Sequence, residues 1–331
     1  MPVDQRADGA AGGRPAIELA GLTKRYRRGK DWLTAVNDVT LSVPPGQVIA
    51  LLGPNGAGKT TTIKMTCGLI LPTEGTIRIS GYDVARQRSH AVRQLGAVLE
   101  GSRNVYWPLT AWQNLMYFGR VKGMRGHEIR PRAEQLLADL GLWKRRSETV
   151  GSYSRGMQQK VAIAAALITD PPVILLDEPT IGLDVEAART VKDWITHLAA
   201  DEGKTIVLTT HQLGIAQELA GRIAVIRDGT VIADLRTPEL LSRYAEDRFE
   251  VTVAGPLNGF AGTLPAGARA EADAGSTRIT LRDADQGRLH AFLGELRAKD
   301  VPLVSVSQAR PDLEEVFLRL IRDDSAKEHA A

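Results

Sequence analysis

Residues 48–62 read Val48-Ile49-Ala50-Leu51-Leu52-Gly53-Pro54-Asn55-Gly56-Ala57-Gly58-Lys59-Thr60-Thr61-Thr62. A short apolar run enters a glycine-rich loop, and helix-compatible residues follow from Lys59 to Leu69. That is the strand–loop–helix setting in which Gly-x4-Gly-Lys-Thr cradles phosphate. Gly53, Gly56 and Gly58 let the backbone turn so that its amides face inward, and the helix adds the positive end of its dipole. Lys59 brings a point charge to the outer phosphates, and the Thr60 hydroxyl can hold Mg²⁺. With Asn55 and Thr61 in the same stretch, the reading implies nucleoside triphosphate binding.

Composition narrows the rest. A chain of 331 residues is long for one domain and comfortable for two. With 43% hydrophobic and 24% charged residues it is an ordinary globular sequence. The 42 basic and 39 acidic residues leave +3, so no basic field calls for nucleic acid. The longest apolar run, Val161 to Ile168, has eight residues, far short of a membrane span. The single Cys67 excludes an internal disulfide and a cysteine-cluster zinc site, and a buried thiol is expected on the helix after the loop. A cytosolic protein that reaches any membrane through a partner is the expectation.

Residues 1–15 lack periodicity and are expected to be a disordered tail. Strands are predicted at Ile17 to Leu22, Val36 to Val43, Val48 to Leu52, Gly75 to Ser80 and Leu95 to Leu99, with a helix near Asp83 to Arg93. Strand signals then stop from about 103 to 169, where Ala133, Leu136, Leu137 and Leu140 recur at helical spacing. Strand and helix alternate again: Val173 to Leu176, a helix over Val185 to Ala200, and Thr205 to Thr209. Asp228-Gly229 marks a hairpin turn, and a short helix over Thr237 to Tyr244 ends a domain spanning 16–245. A separate α+β module is expected over 246–322. In it Leu289, Phe292, Leu293 and Leu296 share a helical face, a last helix covers Leu313 to Leu320, and 323–331 form a tail.

Three groups complete a phosphate site. Val173 to Leu176 is an apolar strand ending in Asp177, suited to a water-mediated Mg²⁺ contact, and Glu178, suited to take a proton from an attacking water. His211 follows a second apolar strand, where an imidazole can bond the γ-phosphate. Ser154 is a good N-cap for a helix carrying Met157, Val161, Ala164 and Ile168 on one face, and Gly156 is expected to leave backbone exposed. That helix end is a second anion-binding device with no phosphate of its own in the same chain. A head-to-tail pair of chains would supply one.

These stretches, in this order, resemble the nucleotide-binding subunit of ATP-binding cassette (ABC) transporters over about Ile17 to Leu240. The resemblance implies a P-loop NTPase α/β fold: a RecA-like core, an antiparallel β subdomain and a helical subdomain, with the small C-terminal α+β domain appended. It implies ATP and Mg²⁺ as cofactors and ATPase activity. Tyr26 takes the place of the aromatic that stacks on adenine, Tyr153 to Met157 that of the signature segment, Val173 to Glu178 that of Walker B, and Ile181-Gly182-Leu183-Asp184 that of the D-loop. Two positions depart from the family. Glu100 stands where a glutamine touches Mg²⁺ and the attacking water, and it is expected to be a metal ligand. Tyr153-Ser154-Arg155-Gly156-Met157 replaces Leu-Ser-Gly-Gly-Gln while keeping Ser154 and Gly156.

Tyr106, Trp107, Trp112, Tyr117 and Phe118 place five of the chain's sixteen aromatics within thirteen residues. Trp112 and Phe118 are expected in the core; Tyr106 and Trp107, beside Pro108, suit a partner surface. In the family a coupling helix of the transmembrane permease docks there, so the resemblance implies a permease partner near Glu100, Tyr106 and Trp107, a second nucleotide-binding chain, and a place on the inner face of the cell membrane. The segment from Glu100 to Asn104, with Tyr106-Trp107 and the tail Asp312 to Phe317, looks like the bacterial branch that exports drugs, lipids and polymers. Ribosomal or DNA-repair members, with paired cassettes or coiled-coil insertions, and importers are the alternatives, and the sequence fits them less well.

Overall fold

The computed structural model describes residues 14–101, 104–244, 248–255, 264–265, 267–273, 275–281, 285–308 and 312–330. Most of the expected N-terminal tail, together with Ser102 and Arg103, lies outside these. The chain divides into two units, Met1–Thr237 with Leu320–Ala331, and Pro238–Arg319.

The first unit opens with β1 (Ile17–Arg28), β2 (Asp31–Val43) and β3 (Val48–Leu52), followed by α1 (Lys59–Thr66). Then come β4 (Glu74–Ile79), β5 (Tyr82–Asp83), α2 (Arg88–Arg93) and β6 (Leu95–Val98). Three helices follow, α3 (Ala111–Val121), α4 (Gly126–Asp139) and α5 (Arg155–Leu167). Alternation resumes with β7 (Val173–Asp177), α6 (Val185–Ala200), β8 (Thr205–Thr209) and α7 (Leu213–Leu219). The hairpin β9 (Arg222–Arg227) and β10 (Thr230–Arg236) closes this run; α8 (Thr237–Arg243) follows and, from Pro238 on, belongs to the second unit.

Two sheets result. The antiparallel one has the order β2-β1-β4-β5; the other has the order β10-β9-β3-β8-β7-β6 and is parallel except for its edge strand β10. All five residues of β7 and of β8 are buried, as strands covered on both faces must be, and this is why they read as unbroken apolar runs. Both sheets contribute to one core, in which Leu22, Val36, Ile49, Ile63, Leu175 and Ile226 meet. Cys67 is buried in it, and burial pushes its thiol pKa up to about 12.

In the second unit β11 (Phe249–Ala254), β12 (Arg269–Asp273), β13 (Ser276–Leu281) and β14 (Leu303–Gln308) form an antiparallel sheet of order β12-β13-β11-β14. The helix α9 (Gln286–Ala298) packs Leu289, Phe292 and Leu296 against Val251, Val253, Ile279 and Leu281. The final helix, α10 (Leu313–Ala330), begins in this unit and ends in the first.

Several boundaries differ from the sequence reading. The first hairpin is longer: β1 runs to Arg28 and β2 starts at Asp31, paired Tyr26 to Leu33 and Arg27 to Trp32. That distal half has no buried face, so ladder hydrogen bonds rather than apolar alternation define it. The helix predicted from Asp83 starts only at Arg88, because the Asp83 carboxylate accepts the Ala85 and Arg86 amides and closes a turn instead. Nor does the chain end in a tail from 323, since α10 continues to Ala330. Residues 323–330 lack an apolar stripe, but Ala326, Lys327, Glu328 and Ala330 are good helix formers, and propagating a helix already begun costs little. Among the described residues no helix is long and apolar enough to cross a membrane.

Candidate nucleotide-binding site

The strand β3 lies between β8 and β9 and delivers the glycine loop at the carboxyl end of the parallel sheet, where such sheets bind ligands. Backbone packs on backbone there. A Cβ on Gly53 would collide with the Ile226 carbonyl, and one on Gly58 with the Ala35 carbonyl. Gly58 also sits at φ 101° and Gly56 at φ 83°, both in the left-handed region. Gly58 is the N-cap of α1, so the free amides of the first turn open toward the loop. Lys59 Nζ donates to the Gly53 and Pro54 carbonyls at 2.7 and 3.0 Å, which holds the ammonium across the loop. Burial lowers its pKa, and the carboxylates of Glu178, Asp177 and Glu100 oppose that shift.

The cavity over the loop measures about 620 Å³, within the range of small-molecule sites. Asn55, Gly56, Gly58, Lys59, Thr60 and Thr61 line one side; Glu100, Asp177, Glu178 and His211 line the other. Gly53 lies behind the loop against Ile226. Three strand ends meet here: Glu100 follows β6, Asp177 ends β7 and His211 follows β8.

Asp177 is buried, with Oδ1 accepting from Thr209 Oγ1 and Oδ2 accepting from the Glu100 amide at 3.4 Å. Glu178 adopts φ 52°, a left-handed conformation uncommon outside glycine. Its amide donates to both the carbonyl and the hydroxyl of Thr209, each at 3.1 Å. Its Oε2 lies 2.9 Å from His211 Nδ1. The turn thus lifts the carboxylate out of the strand and sets it on the imidazole. Thr209 was not among the expected site residues, though it holds both acids in place. The one signal for it is register, since Thr209 pairs with Asp177 across the β7–β8 ladder. The oxygens of Thr60, Glu100 and Asp177 form a hard donor set suited to Mg²⁺. Among the described residues no group of three or more His, Cys, Asp or Glu could hold a metal ion.

Five expected site residues do not line this cavity: Gly53, behind the loop, and four more distant ones. Tyr26 is exposed on the first hairpin, with Lys24 Nζ 5.2 Å from its ring centroid. Ser154 caps α5 by accepting the Met157 amide at 3.3 Å, and Asp184 caps α6 by accepting the Ala187 amide at 2.8 Å. Gly156 is buried, not exposed as the sequence reading has it. A Cβ there would stand 2.5 Å from the Ala187 Cβ, so glycine is what lets α5 and α6 touch.

Two asparagines shape the chain between Glu100 and α3. Asn104 accepts the Leu99 amide at 3.1 Å and donates to the Leu99 and Gly101 carbonyls at 2.8 and 3.1 Å. Asn114, fully buried, accepts the Tyr106 amide at 2.8 Å and donates to the Tyr106 and Thr110 carbonyls at 2.9 Å each. Beside it Tyr106, Trp107 and Tyr117 are exposed, and the two tyrosine rings pack edge to face at 4.9 Å. Trp112 and Phe118, expected in the core, are only half-buried. On α3 the positions that face inward are Ala111, Asn114, Leu115 and Gly119; Trp112 packs edgewise on Trp143 and Phe118 on Tyr117.

The family model described as ABC transporter matches residues 36–181, which spans the glycine loop, β7 and both acids. Daunorubicin resistance ATP-binding protein DrrA3 of Streptomyces coeruleorubidus is 37% identical over 96% of this chain and 99% of its own length. This chain belongs to the ABC transporter ATP-binding proteins. The Nod factor export ATP-binding protein I of Ralstonia nicotianae is 33% identical over 97% of this chain and 98% of its own. The ABC cassette MJ0796, solved as a dimer in a post-hydrolysis state with ADP and Pi, overlays with a TM-score of 0.61 at 31% identity. That match covers 67% of this chain and 98% of that one. The chain is therefore an ABC ATPase, and its cavity lies where β3, β7 and β8 end.

Because Gly58 combines a left-handed φ with a Cβ position closed by the Ala35 carbonyl, Gly58→Ala must move the loop. Isothermal titration is expected to find ATP affinity reduced about fivefold to a hundredfold, in line with the ~1–3 kcal/mol of a strained backbone position.

Proposed function

We propose that this chain is the ATP-hydrolysing subunit of an ABC exporter, working as a pair of copies beneath a separate transmembrane permease. The observation that carries this reading is similarity along the whole chain, second unit included, to resistance and export ATP-binding proteins of bacteria. Cargo of the drug or lipid class follows from the same relatives and from the segment that begins at Glu100. The protein sits on the inner face of the membrane through its permease.

Each residue has a task its geometry supports. The amides from Gly56 to Thr61 and the Lys59 ammonium bind the β- and γ-phosphates, and Lys59 exchanges its two loop carbonyls for phosphate oxygens. Asn55 extends the loop. Thr60 and Glu100, with Asp177 through a water, would hold Mg²⁺, and the ion would neutralise charge on the phosphates. Glu178 takes the proton of the attacking water; His211, 2.9 Å away, fixes the carboxylate and reaches the γ-phosphate. Tyr26 stacks on adenine. Ser154 and Gly156 at the tip of α5, with Asp184 beside them, face the nucleotide of the second copy, since their own cavity does not include them. Tyr106, Trp107 and Tyr117 form the exposed platform that receives the permease, held by Asn114 on the same loop as Glu100.

Three measurements test this. Glu178→Gln is expected to lower phosphate release about a hundredfold or more while the protein elutes as an ATP-bound dimer; release at the parental rate removes the base. Glu100→Gln is expected to keep ATPase activity and shift the Mg²⁺ concentration for half-maximal rate, whereas an unmoved titration takes Glu100 out of the metal site. Trp107→Ala is expected to leave ATP titration unchanged and reduce co-purification with the permease; an intact complex would relocate the docking surface.

A further inference from the structure

The glycine loop is braced from behind by the turn between β9 and β10. The Gly229 amide donates to the Ala57 carbonyl at 3.1 Å, and the Gly229 carbonyl accepts the Asn37 amide at 2.8 Å, so the turn is wedged between the loop and β2. Asp228 and Gly229 lie at φ 47° and 80°, as a tight hairpin turn requires. Just ahead of them, the Ile226 carbonyl is the group that leaves no space for a Cβ at Gly53. Loop and turn therefore share backbone contacts with no side chain to absorb a shift.

Arg227 sits between Ile226 and Asp228, and its side chain turns away from the nucleotide cavity. Its Nη1 donates to the Ile321 carbonyl at 2.7 Å and lies 3.2 Å from Asp324 Oδ2, while its Nε lies 3.2 Å from Asp228 Oδ2. The Arg227 side chain is 15% exposed and that of Asp324 29%, so the bonds into α10 are largely shielded from water, whereas Asp228 is 75% exposed. Ile321 and Asp324 lie in the middle of α10, within the first unit. The residues of the loop, the turn and mid-α10 form one chain of direct contacts.

We infer that Arg227 is a positioning residue for the glycine loop, anchored by the middle of α10, and that this anchor sets how tightly the loop holds ATP. Breaking the anchor lets the 226–229 turn relax, and the Ile226 and Gly229 contacts carry that slack into Gly53 and Ala57. The C-terminal helix is in this way part of the nucleotide site without touching the nucleotide. The inference rests on ATP binding at the glycine loop, which the parent chain reports in the same assay.

The test is ATP titration calorimetry on the full chain carrying Arg227→Gln, Asp324→Asn or both, with a thermal melt of each. Arg227→Gln is expected to weaken ATP binding roughly threefold to tenfold, the scale of mutations that act on a site through its supports. Asp324→Asn should have a smaller effect in the same direction, and the double variant should be no weaker than Arg227→Gln alone. Arg222→Gln is the control. It removes the two-pronged ion pair with Asp234 at the other end of the same hairpin, so it lowers the melt while leaving ATP affinity as it was. Unchanged affinity in a folded Arg227→Gln protein overturns the inference, as do additive effects in the double variant or an equal loss in Arg222→Gln. If Arg227→Gln fails to fold, Asp324→Asn decides alone, and parental affinity there overturns the inference. A parent that binds no ATP would instead sink the nucleotide reading itself.

Discussion

Direct contact of backbone with backbone around the glycine loop is the constraint from which the rest of this structure follows. Gly53 lies on the Ile226 carbonyl and Gly58 on that of Ala35, with no side chain between. A loop held this way keeps its amides where they are before any phosphate arrives, so little ordering entropy is lost when the ligand binds. The arrangement also dictates its surroundings. Only a strand with a partner on each side can hold the loop root, and β3 has β8 and β9. The two groups that press on the loop come from the antiparallel hairpin and from β9, which is why both sheets share one core.

The acids obey the same logic of register. Because β7 pairs with β8 so that Asp177 faces Thr209, one threonine can bind the Asp177 carboxylate and receive the Glu178 amide. The left-handed turn at Glu178 then sends successive carboxylates to different places, one buried against Thr209 and the Glu100 amide and one out to His211. Two adjacent acids in an extended strand would point to opposite faces of the sheet. The strained residue is what lets both serve a single cavity, and its cost is sustained by the Thr209 bonds.

Much of this was legible in the sequence, and the exceptions share a cause. β3, β8 and α6 match their predicted limits, because unbroken apolar runs and an amphipathic helix with an Asp184 cap are strong local signals. The loop, both acids, Glu100 and His211 meet in one cavity as expected. What local pattern could not carry was set by contacts distant in the chain. Threonine is so ordinary in a strand that Thr209 has no signature outside its register. Gly156 reads as an exposed helix end until Ala187 is seen to fill its missing side chain. The outer half of the first hairpin, with Tyr26 and Leu33 exposed, has no burial pattern to read. Trp112 and Phe118 read as core by their chemistry, whereas Ala111, Asn114, Leu115 and Gly119 occupy the inward positions.

Asn114 explains why a helical subdomain would keep a fully buried amide beside an exposed aromatic cluster. A buried carboxamide without partners costs several kcal/mol, yet here it satisfies the Tyr106 and Thr110 backbone with good geometry. An apolar side chain would fill the same space and leave the Tyr106 amide without its acceptor, whereas the Tyr106 and Thr110 carbonyls also accept the Leu109 and Asn114 amides. Asn104 does for the Glu100 end what Asn114 does for the Tyr106 end, closing the chain onto Leu99 and Gly101. The segment between the two asparagines is thus tied at the cavity and tied again at the aromatic surface.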